Sequence, residues 1–183
     1  MSNKKFPRIY SLSTVGIRNH YNSDYRFHPF RTDFAGDSGV GKSIIADVLQ
    51  LILVGEREFK SATDSSSERE ARKLIIERYG YVFLNIAIDT DKFIVIGMYI
   101  STTSIDPFII QANIGLDVFE PLSSPLISKD FMLGDEIIDI TNLPERMKEN
   151  KQAYAAKLSL NKYHELLEQN KILPIDLKTE GNL

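Results

Sequence analysis

A glycine-rich segment of eight residues constrains this 183-residue chain more than any other part of its sequence. Residues 36–43 read Gly-Asp-Ser-Gly-Val-Gly-Lys-Ser and match the pattern G-x-x-x-x-G-K-[ST]. This pattern is typical of a loop that joins a strand to a helix and points backbone N–H groups at a phosphate. The segment therefore predicts a nucleoside triphosphate site, with a strand before it and a helix after it.

Each residue type in the segment has a mechanical role in such a loop. The glycines allow positive backbone angles and leave room for a phosphate beside the main chain. Lys42 is expected to reach the β- and γ-phosphates, and the Ser43 hydroxyl is expected to bind Mg²⁺. The predicted ligand-binding residues of the segment are Gly36, Asp37, Ser38, Gly39, Val40, Gly41, Lys42 and Ser43.

Two Asn-Lys pairs test whether the nucleotide is GTP, because a GTPase reads guanine with Asn-Lys-x-Asp. Asn161-Lys162 is followed by His164 at the position of the aspartate, and Asn170-Lys171 is followed there by Leu173. Neither pair supports guanine specificity. ATP with Mg²⁺ is therefore the predicted ligand.

Hydrophobic periodicity places the segment between a strand and a helix. Residues 9–15 alternate and predict a strand, and the aromatic-rich residues 25–34 predict a second strand with an edge or bulge at Pro29. Apolar residues at helical spacing predict a helix from Lys42 to Val54, which Gly55 ends. The predicted unit of strand, glycine-rich turn and helix is the setting that a phosphate-binding loop requires.

The rest of the chain predicts an antiparallel meander followed by helices. A short helix is expected at 69–78, and strands are expected at 81–88, 93–100 and 108–114, the first two joined at Thr90-Asp91. A proline-bearing loop at 120–128 precedes helices at 143–158 and 160–167, the second with Ser159 as its cap. The predicted organisation is one lobe over residues 1–183, with a P-loop core at about 6–60, a mobile loop at about 61–70, the meander at about 80–118 and a helical region at about 143–183.

Composition excludes several classes of site. The chain has no cysteine, which excludes disulfides, thiolate metal sites and a cysteine nucleophile. Its apolar stretches are far shorter than the ~20 residues that span a membrane, so we expect a cytoplasmic protein with no membrane partner. The histidines, at positions 20, 28 and 164, are too scattered to indicate a metal site.

The net charge of −3 is unevenly distributed along the chain. The residues through Arg31 carry six basic side chains against one acid, Asp24, which gives +5 there and −8 elsewhere. The basic residues are Lys4, Lys5, Arg8, Arg18, Arg26 and Arg31. This segment suits the phosphates of a nucleotide or of DNA, and an ordinary solvated surface explains it equally well.

Hydrolysis requires more than a phosphate-binding loop, because a second acid must bind Mg²⁺ and another group must position water. Residues 82–89 end in an acid, but they have the pattern of a hairpin arm. Asp135-Glu136 follows a short apolar run that Gly134 interrupts. We interpret both segments as structural, so the sequence predicts no catalytic residue.

The residues Val15-Gly16-Ile17-Arg18-Asn19-His20, the aromatic stretch after them, the loop at 36–43 and residues 45–55 together resemble the start of an SMC-type ATPase head. That family includes SMC, RecN and MukB proteins and ATPases of bacterial anti-plasmid and anti-phage systems. The resemblance covers about the first third of the chain. It implies an α/β fold, the N-terminal lobe of a P-loop NTPase of the ABC or SMC-head type with an antiparallel meander and C-terminal helices.

The resemblance also implies roles for individual residues. Arg18 and Asn19 fall where the family places polar contacts to the nucleotide, and Lys42 and Ser43 keep their phosphate and Mg²⁺ roles. This chain departs from the family at Ser38, where many relatives have Asn. It departs again at Ile44, where many have Thr.

In this family a long coiled coil separates the N-terminal lobe from a C-terminal lobe, which brings a Ser-Gly-Gly signature, an Asp-Glu strand and the catalytic glutamate. The implied function is an ATP-binding half-site that acts on DNA in repair, chromosome maintenance or defence. Its implied partners are the complementary C-terminal lobe, or a second head that dimerises through ATP. We expect a lobe cut off before its coiled coil, since neither Gln152 nor Gln169 fits the family's glutamine loop.

Two other function classes stay open. A self-contained P-loop enzyme such as a small kinase would need an arginine-rich lid, for which Arg69, Arg72 and Arg78 are the candidates. Their spacing with neighbouring glutamates is also typical of an ordinary charged helix. The other class is a nucleotide-sensing interaction module that does not hydrolyse ATP.

Overall fold

The computed structural model describes residues 5–29, 32–33, 35, 41–56, 59, 71–115 and 117–172. Within these ranges the chain has a mixed α/β fold. The strands are β1 (Arg8–Ile17), β2 (His20–Arg26), β3 (Tyr79–Asp89), β4 (Lys92–Ser101), β5 (Ile105–Gln111), β6 (Met132–Leu133), β7 (Glu136–Ile137) and β8 (Tyr154–Lys157). The helices are α1 (Lys42–Val54), α2 (Leu143–Lys151) and α3 (Leu160–Gln169), with short 3-10 helices at Ala71–Leu74 and Ser128–Phe131.

A six-stranded sheet forms the centre of the described structure, in the order β2-β1-β3-β4-β5-β8. Every neighbouring pair in this sheet is antiparallel. Strands β3 and β4 are buried along almost their whole length, because helices and loops cover both faces of the sheet. Their sequences are therefore nearly continuous apolar runs, as sheets covered on both faces require.

The two faces of the sheet carry different layers. On one face α1 and α3 pack through buried side chains such as Val48, Leu51 and Tyr163. On the other face lie α2, the second 3-10 helix and the β6–β7 hairpin, which pack around Phe131 and Met147. The helix that follows the glycine-rich segment therefore lies on the opposite face from the β6–β7 hairpin.

Several local predictions are confirmed. Helix α1 begins at Lys42 and ends at Val54, and Gly55 follows it with a positive φ of 83°. Strand β1 contains the predicted residues 9–15, and β3 and β4 form the predicted hairpin. Helix α3 begins after Ser159, whose side chain accepts a hydrogen bond from the backbone N–H of Lys162.

The predicted helix at 143–158 is wrong in its second half. Helix α2 ends at Lys151, Gln152 adopts a left-handed conformation, and β8 begins two residues later. Strand β8 pairs with β5, so that Ala155 lies opposite Ile110 and Ala156 opposite Ile109. Pairing with a segment more than forty residues away therefore outweighs the helical preference of these alanines.

The predicted strand at 25–34 is also wrong, because β2 starts at His20 and ends at Arg26. Residues 27–29 and 32–33 are not in a strand. Pro29 has no N–H to give to a ladder, which fits an exit from the sheet. Phe30, Arg31 and Phe34 lie outside the described residues.

Two smaller differences concern the segments on either side of the β3–β4 hairpin. The helix expected at 69–78 is a 3-10 helix over Ala71–Leu74, and Ile75 then bridges to Ile17. The strand expected at 108–114 is β5, which is shifted towards the N-terminus.

The predicted loop at 61–70 and most of the tail at 171–183 lie outside the described residues. No helix in the described part is long and apolar enough to cross a membrane.

Candidate nucleotide-binding site at the start of helix α1

Gly41 joins the glycine-rich segment to helix α1. Its φ of 88° and ψ of 18° lie in the left-handed region, which L side chains rarely adopt. The positive angle expected of this glycine is therefore present. Gly36, Asp37, Ser38, Gly39 and Val40 lie outside the described residues, so their contacts with phosphate stay a prediction.

The first turn of α1 directly follows Gly41. Gly41 offers no side-chain cap, and the turn contains no acidic residue. The side chains of Lys42 and Ser43 are exposed. The first N–H groups of a helix lack acceptors within the preceding turn of that helix, and this end of α1 also has the positive end of the helix dipole and a lysine. That combination favours an anion.

The turn between β1 and β2 packs against Gly41. This turn contains Arg18 and Asn19, and Asn19 has a positive φ of 61°. A Cβ atom at Gly41 would lie 2.6 Å from His20 Nε2 and 3.0 Å from Asn19 Cβ. Glycine is therefore required at 41 both for its backbone angle and for the approach of the turn.

His20 fixes this contact with a hydrogen bond. Its Nε2 atom lies 2.8 Å from the carbonyl oxygen of Gly41. A carbonyl only accepts, so Nε2 carries a proton, while Nδ1 is hydrogen-bonded to the Tyr25 hydroxyl. The Thr14 hydroxyl donates to the His20 carbonyl at 2.6 Å. The imidazole thus joins the β-hairpin to the end of the glycine-rich segment.

Sequence analysis missed His20, because it treated the three histidines only as possible metal ligands. His20 and Gly41 are 21 positions apart. No periodic pattern relates them, and the only local signal was the position of His20 directly after Arg18-Asn19. The contact depends on tertiary structure rather than on a motif.

The structure places Arg18 and Asn19 in the turn beside Gly41, but it directs Arg18 elsewhere. The Arg18 backbone N–H donates to the Leu74 carbonyl at 2.8 Å, and its guanidinium donates to the Lys73 carbonyl at 3.4 Å. Both side chains at 18 and 19 are exposed. They are adjacent to the candidate site, and their contact with a nucleotide stays a prediction.

The C-terminal end of α1 is closed by donors from the chain itself. The Tyr163 hydroxyl donates to the Ile52 carbonyl at 2.7 Å, and His164 Nε2 lies 3.2 Å from the Leu53 carbonyl. The Gly55 N–H donates to the Leu51 carbonyl at 2.9 Å. Burial raises the pKa of the Tyr163 hydroxyl far above its usual value, so this group stays protonated and able to donate. Side chains of α3 therefore anchor the C-terminal end of α1.

The two acidic segments considered for Mg²⁺ both lie in β-hairpins. Residues 82–89 belong to β3, an arm of the β3–β4 hairpin, as predicted. Asp135 and Glu136 are exposed in the β6–β7 hairpin, which packs on the sheet face opposite α1. The structural interpretation of both segments agrees with these positions in hairpins.

Comparisons with known proteins add information about the fold. No protein-family model and no curated protein sequence matches the chain. A solved structure from work on ATP-driven dimerization and DNA-stimulated activation of SMC ATPases is similar, with a TM-score of 0.54 and 16% identity. The match covers 92% of this chain and 82% of the other. At this identity the likeness concerns the fold alone.

Proposed function

We propose that this chain, which has the fold of an SMC-type ATPase head lobe, binds ATP and Mg²⁺ as the N-terminal half-site of an ATPase that acts on DNA. Hydrolysis, in this proposal, requires a complementary C-terminal lobe. The observation that carries the proposal is the start of α1. There a left-handed Gly41 ends the G-x-x-x-x-G-K-[ST] segment and opens a helix whose first turn has no side-chain cap and no acid.

The residues at the start of α1 fit the ligand. Lys42 supplies a positive charge to the β- and γ-phosphates, and the helix N-terminus supplies N–H donors and its dipole. The exposed Ser43 hydroxyl is a hard oxygen donor of the kind that Mg²⁺ binds together with phosphate oxygens. The ion, when bound, neutralises charge on the phosphates.

A half-site is favoured over a complete enzyme by the position of the acids. In-line attack on the γ-phosphate needs an acid for the metal and a group that positions water. The acids at 135 and 136 lie on the other sheet face from α1. We therefore assign these groups to a second lobe, and assembly with that lobe becomes the step that permits hydrolysis.

The kinase alternative receives less support. Its lid requires arginines over the phosphates, but Arg72 forms an ion pair with Glu56 at 3.5 Å. Glu56 follows the C-terminal end of α1, and α1 is about 20 Å long at 1.5 Å per residue. Arg69 lies outside the described residues, and Arg78 is exposed at the start of β3.

DNA enters the proposal as the substrate of the assembled ATPase. The structurally similar protein comes from work on DNA-stimulated SMC ATPases, and the first 31 residues of this chain carry the basic excess. Repair, chromosome maintenance and anti-plasmid or anti-phage defence are the biological roles in which we place such an ATPase.

The nucleotide-binding step is tested by titrating the chain with ATP in the presence and absence of Mg²⁺. We expect Lys42→Ala to weaken binding by about 1.5–3 kcal/mol, because a charge-assisted contact to phosphate is lost. Lys148→Ala is the matched control, since Lys148 is an exposed lysine on α2 at the other sheet face. Equal affinities of the Lys42→Ala variant and the unsubstituted chain would refute the proposal.

The half-site assignment is tested by measuring ATP turnover. We expect the chain alone to bind ATP with very slow hydrolysis, and we expect the complementary C-terminal lobe of the source organism to accelerate it. The alternative makes an opposite pair of predictions. If Glu136 were the second acid, the chain alone would hydrolyse ATP at an enzymatic rate and Glu136→Gln would abolish that rate.

A further inference from the structure

A second cluster of cations lies at the other end of the β-hairpin from Gly41. Arg8 begins β1 and Arg26 ends β2, whereas His20 lies at the opposite end of these strands. Strand β1 has ten residues, so the two ends are about 30 Å apart at 3.3 Å per residue. The two arginines line a cleft of about 110 Å³ beside the β3–β4 turn. This cleft is separate from the start of α1.

Tyr10 holds the two guanidinium groups in place. The Arg26 Cζ atom lies 3.9 Å from the centre of the Tyr10 ring, and the Arg8 Cζ atom lies 5.6 Å from it. Phe93 supports the ring edge-on, with 4.8 Å between ring centres. The pairing of β1 with β3 shifts register at Tyr10, and such a bulge redirects a side chain. The cluster is therefore built by the strands rather than by a surface loop.

Arg8 has donors that no described residue of the chain satisfies. Its Nε and Nη1 atoms are buried and have no hydrogen-bond partner. Over residues 5–172, where described, no ion pair joins Arg8 or Arg26 to a carboxylate. Buried polar groups are nearly always hydrogen-bonded, so these N–H groups are able to donate to an acceptor that the described residues do not supply.

The shape and charge of the cleft define that acceptor. Its volume is well below the ~300 Å³ or more of sites for drug-sized ligands, so it takes one chemical group. Asp89 and Asp91 also line the cleft, and their negative charges repel a ligand that carries several negative charges. A single negative charge therefore suits the cleft better than the several charges of a triphosphate. A phosphodiester carries one negative charge and presents two oxygens to an arginine fork.

We propose that this cleft binds a backbone phosphodiester of a nucleic acid strand, with Arg8 as its direct ligand and Arg26 beside it. The proposal deepens the DNA part of the proposed function and does not depend on ATP. An acidic peptide is the competing partner, because its carboxylates also carry one charge each.

The test measures binding of a labelled short oligothymidylate to the whole chain over a range of salt concentrations. We expect Arg8→Gln to weaken binding about tenfold and to lower the salt slope by about one phosphate contact. Arg8→Lys keeps the charge but loses the fork, so we expect an intermediate affinity. Arg78→Gln, an exposed arginine outside the cleft, is the matched control. Equal losses in the Arg8 and Arg78 variants would overturn the proposal in favour of general surface charge.

Two further arms identify the ligand. We expect an oligothymidylate with neutral methylphosphonate linkages to lose the dependence on Arg8, and we expect polyglutamate and inorganic phosphate to compete poorly. Binding of polyglutamate that depends on Arg8, or neutral linkages that bind as well as charged ones, would overturn the proposal. ATP titration of the variants distinguishes this cleft from the candidate nucleotide site. Arg8→Gln is expected to leave ATP affinity unchanged, and Lys42→Ala is expected to leave oligothymidylate binding dependent on Arg8.

Discussion

The two ends of helix α1 differ in the side chains that contact their backbone groups. At the C-terminal end, Tyr163 and His164 lie within hydrogen-bond distance of the last carbonyl groups, and Leu160 lies against Gly55. At the N-terminal end there is no side-chain cap, and the adjacent contact goes from His20 to the carbonyl of Gly41. One end is closed by the chain's own donors. At the other end the turn between β1 and β2 is anchored to Gly41, which has no side chain to cap the helix.

This difference separates stability from ligand binding along one helix. A helix end that serves only the fold is normally capped, since a side-chain cap contributes about 1 kcal/mol. In the proposed function, the lack of a side-chain cap at Gly41 lets a phosphate approach the N-terminal end of α1 and the positive end of its dipole. We therefore expect substitutions at the C-terminal end to affect folding alone. Those at the N-terminal end should also affect ATP binding.

The largest expected effect is on folding and comes from Tyr163→Ala at the closed end. Tyr163 is fully buried, and removing its ring leaves a cavity and an unsatisfied Ile52 carbonyl. We expect the free energy of unfolding to fall by about 3–5 kcal/mol, measured by urea denaturation. Gln169→Ala, an exposed position on the same helix, is the control. The folded Tyr163→Ala protein should bind ATP with unchanged affinity, and a parallel loss of affinity would break the comparison.

A matched pair of glycine substitutions has the next largest effect. Gly41 and Gly55 flank α1, both with positive φ. A Cβ atom would lie 2.6 Å from His20 Nε2 at the first position and 2.5 Å from Leu160 Cδ1 at the second. We expect Gly41→Ala and Gly55→Ala each to lower the free energy of unfolding by about 1–3 kcal/mol.

Only the first glycine substitution should change the ATP dissociation constant, because only Gly41 belongs to the predicted phosphate-binding segment. Titrations are made at a temperature where both variants are folded, which circular dichroism checks. If Gly55→Ala weakened ATP binding as much as Gly41→Ala, the two ends would not be functionally distinct.

Local sequence signals were sufficient to predict helix α1 and the β3–β4 hairpin. The limits of α1 follow from local signals, namely apolar residues at helical spacing and the glycine at 55. The antiparallel hairpin at Thr90-Asp91 likewise follows from alternation and a turn. The residues that determine these elements lie within the elements or directly beside them, so a local sequence pattern is sufficient to predict them.

What the sequence did not predict depends on distant partners. Strand β8 was expected to be helical, and only its pairing with β5 makes it a strand. The exit of the chain from the sheet after Arg26 and the contact of His20 with Gly41 also depend on tertiary packing. The Arg8 cluster combines the ends of β1 and β2 with a turn more than sixty residues away. Hydrophobic periodicity carries no information about contacts between residues that are far apart in the sequence.

The smallest expected effects come from the two histidines that contact backbone carbonyls at the two ends of α1. His20→Ala removes a donor from Gly41, and His164→Ala removes one from Leu53. Each loss should lower the free energy of unfolding by about 0.5–1.5 kcal/mol, the usual net value of one hydrogen bond. The two variants should differ in ATP titrations, where only His20→Ala is expected to weaken binding, by a few-fold. His20→Gln retains an N–H donor and should restore part of that affinity, which a purely steric role of the ring would not explain. If His20→Ala bound ATP as tightly as the unsubstituted chain, the glycine-rich segment would hold its shape without the β1–β2 turn. A selective loss would instead make the imidazole a positioning residue, through which the hairpin fixes the last glycine of the segment.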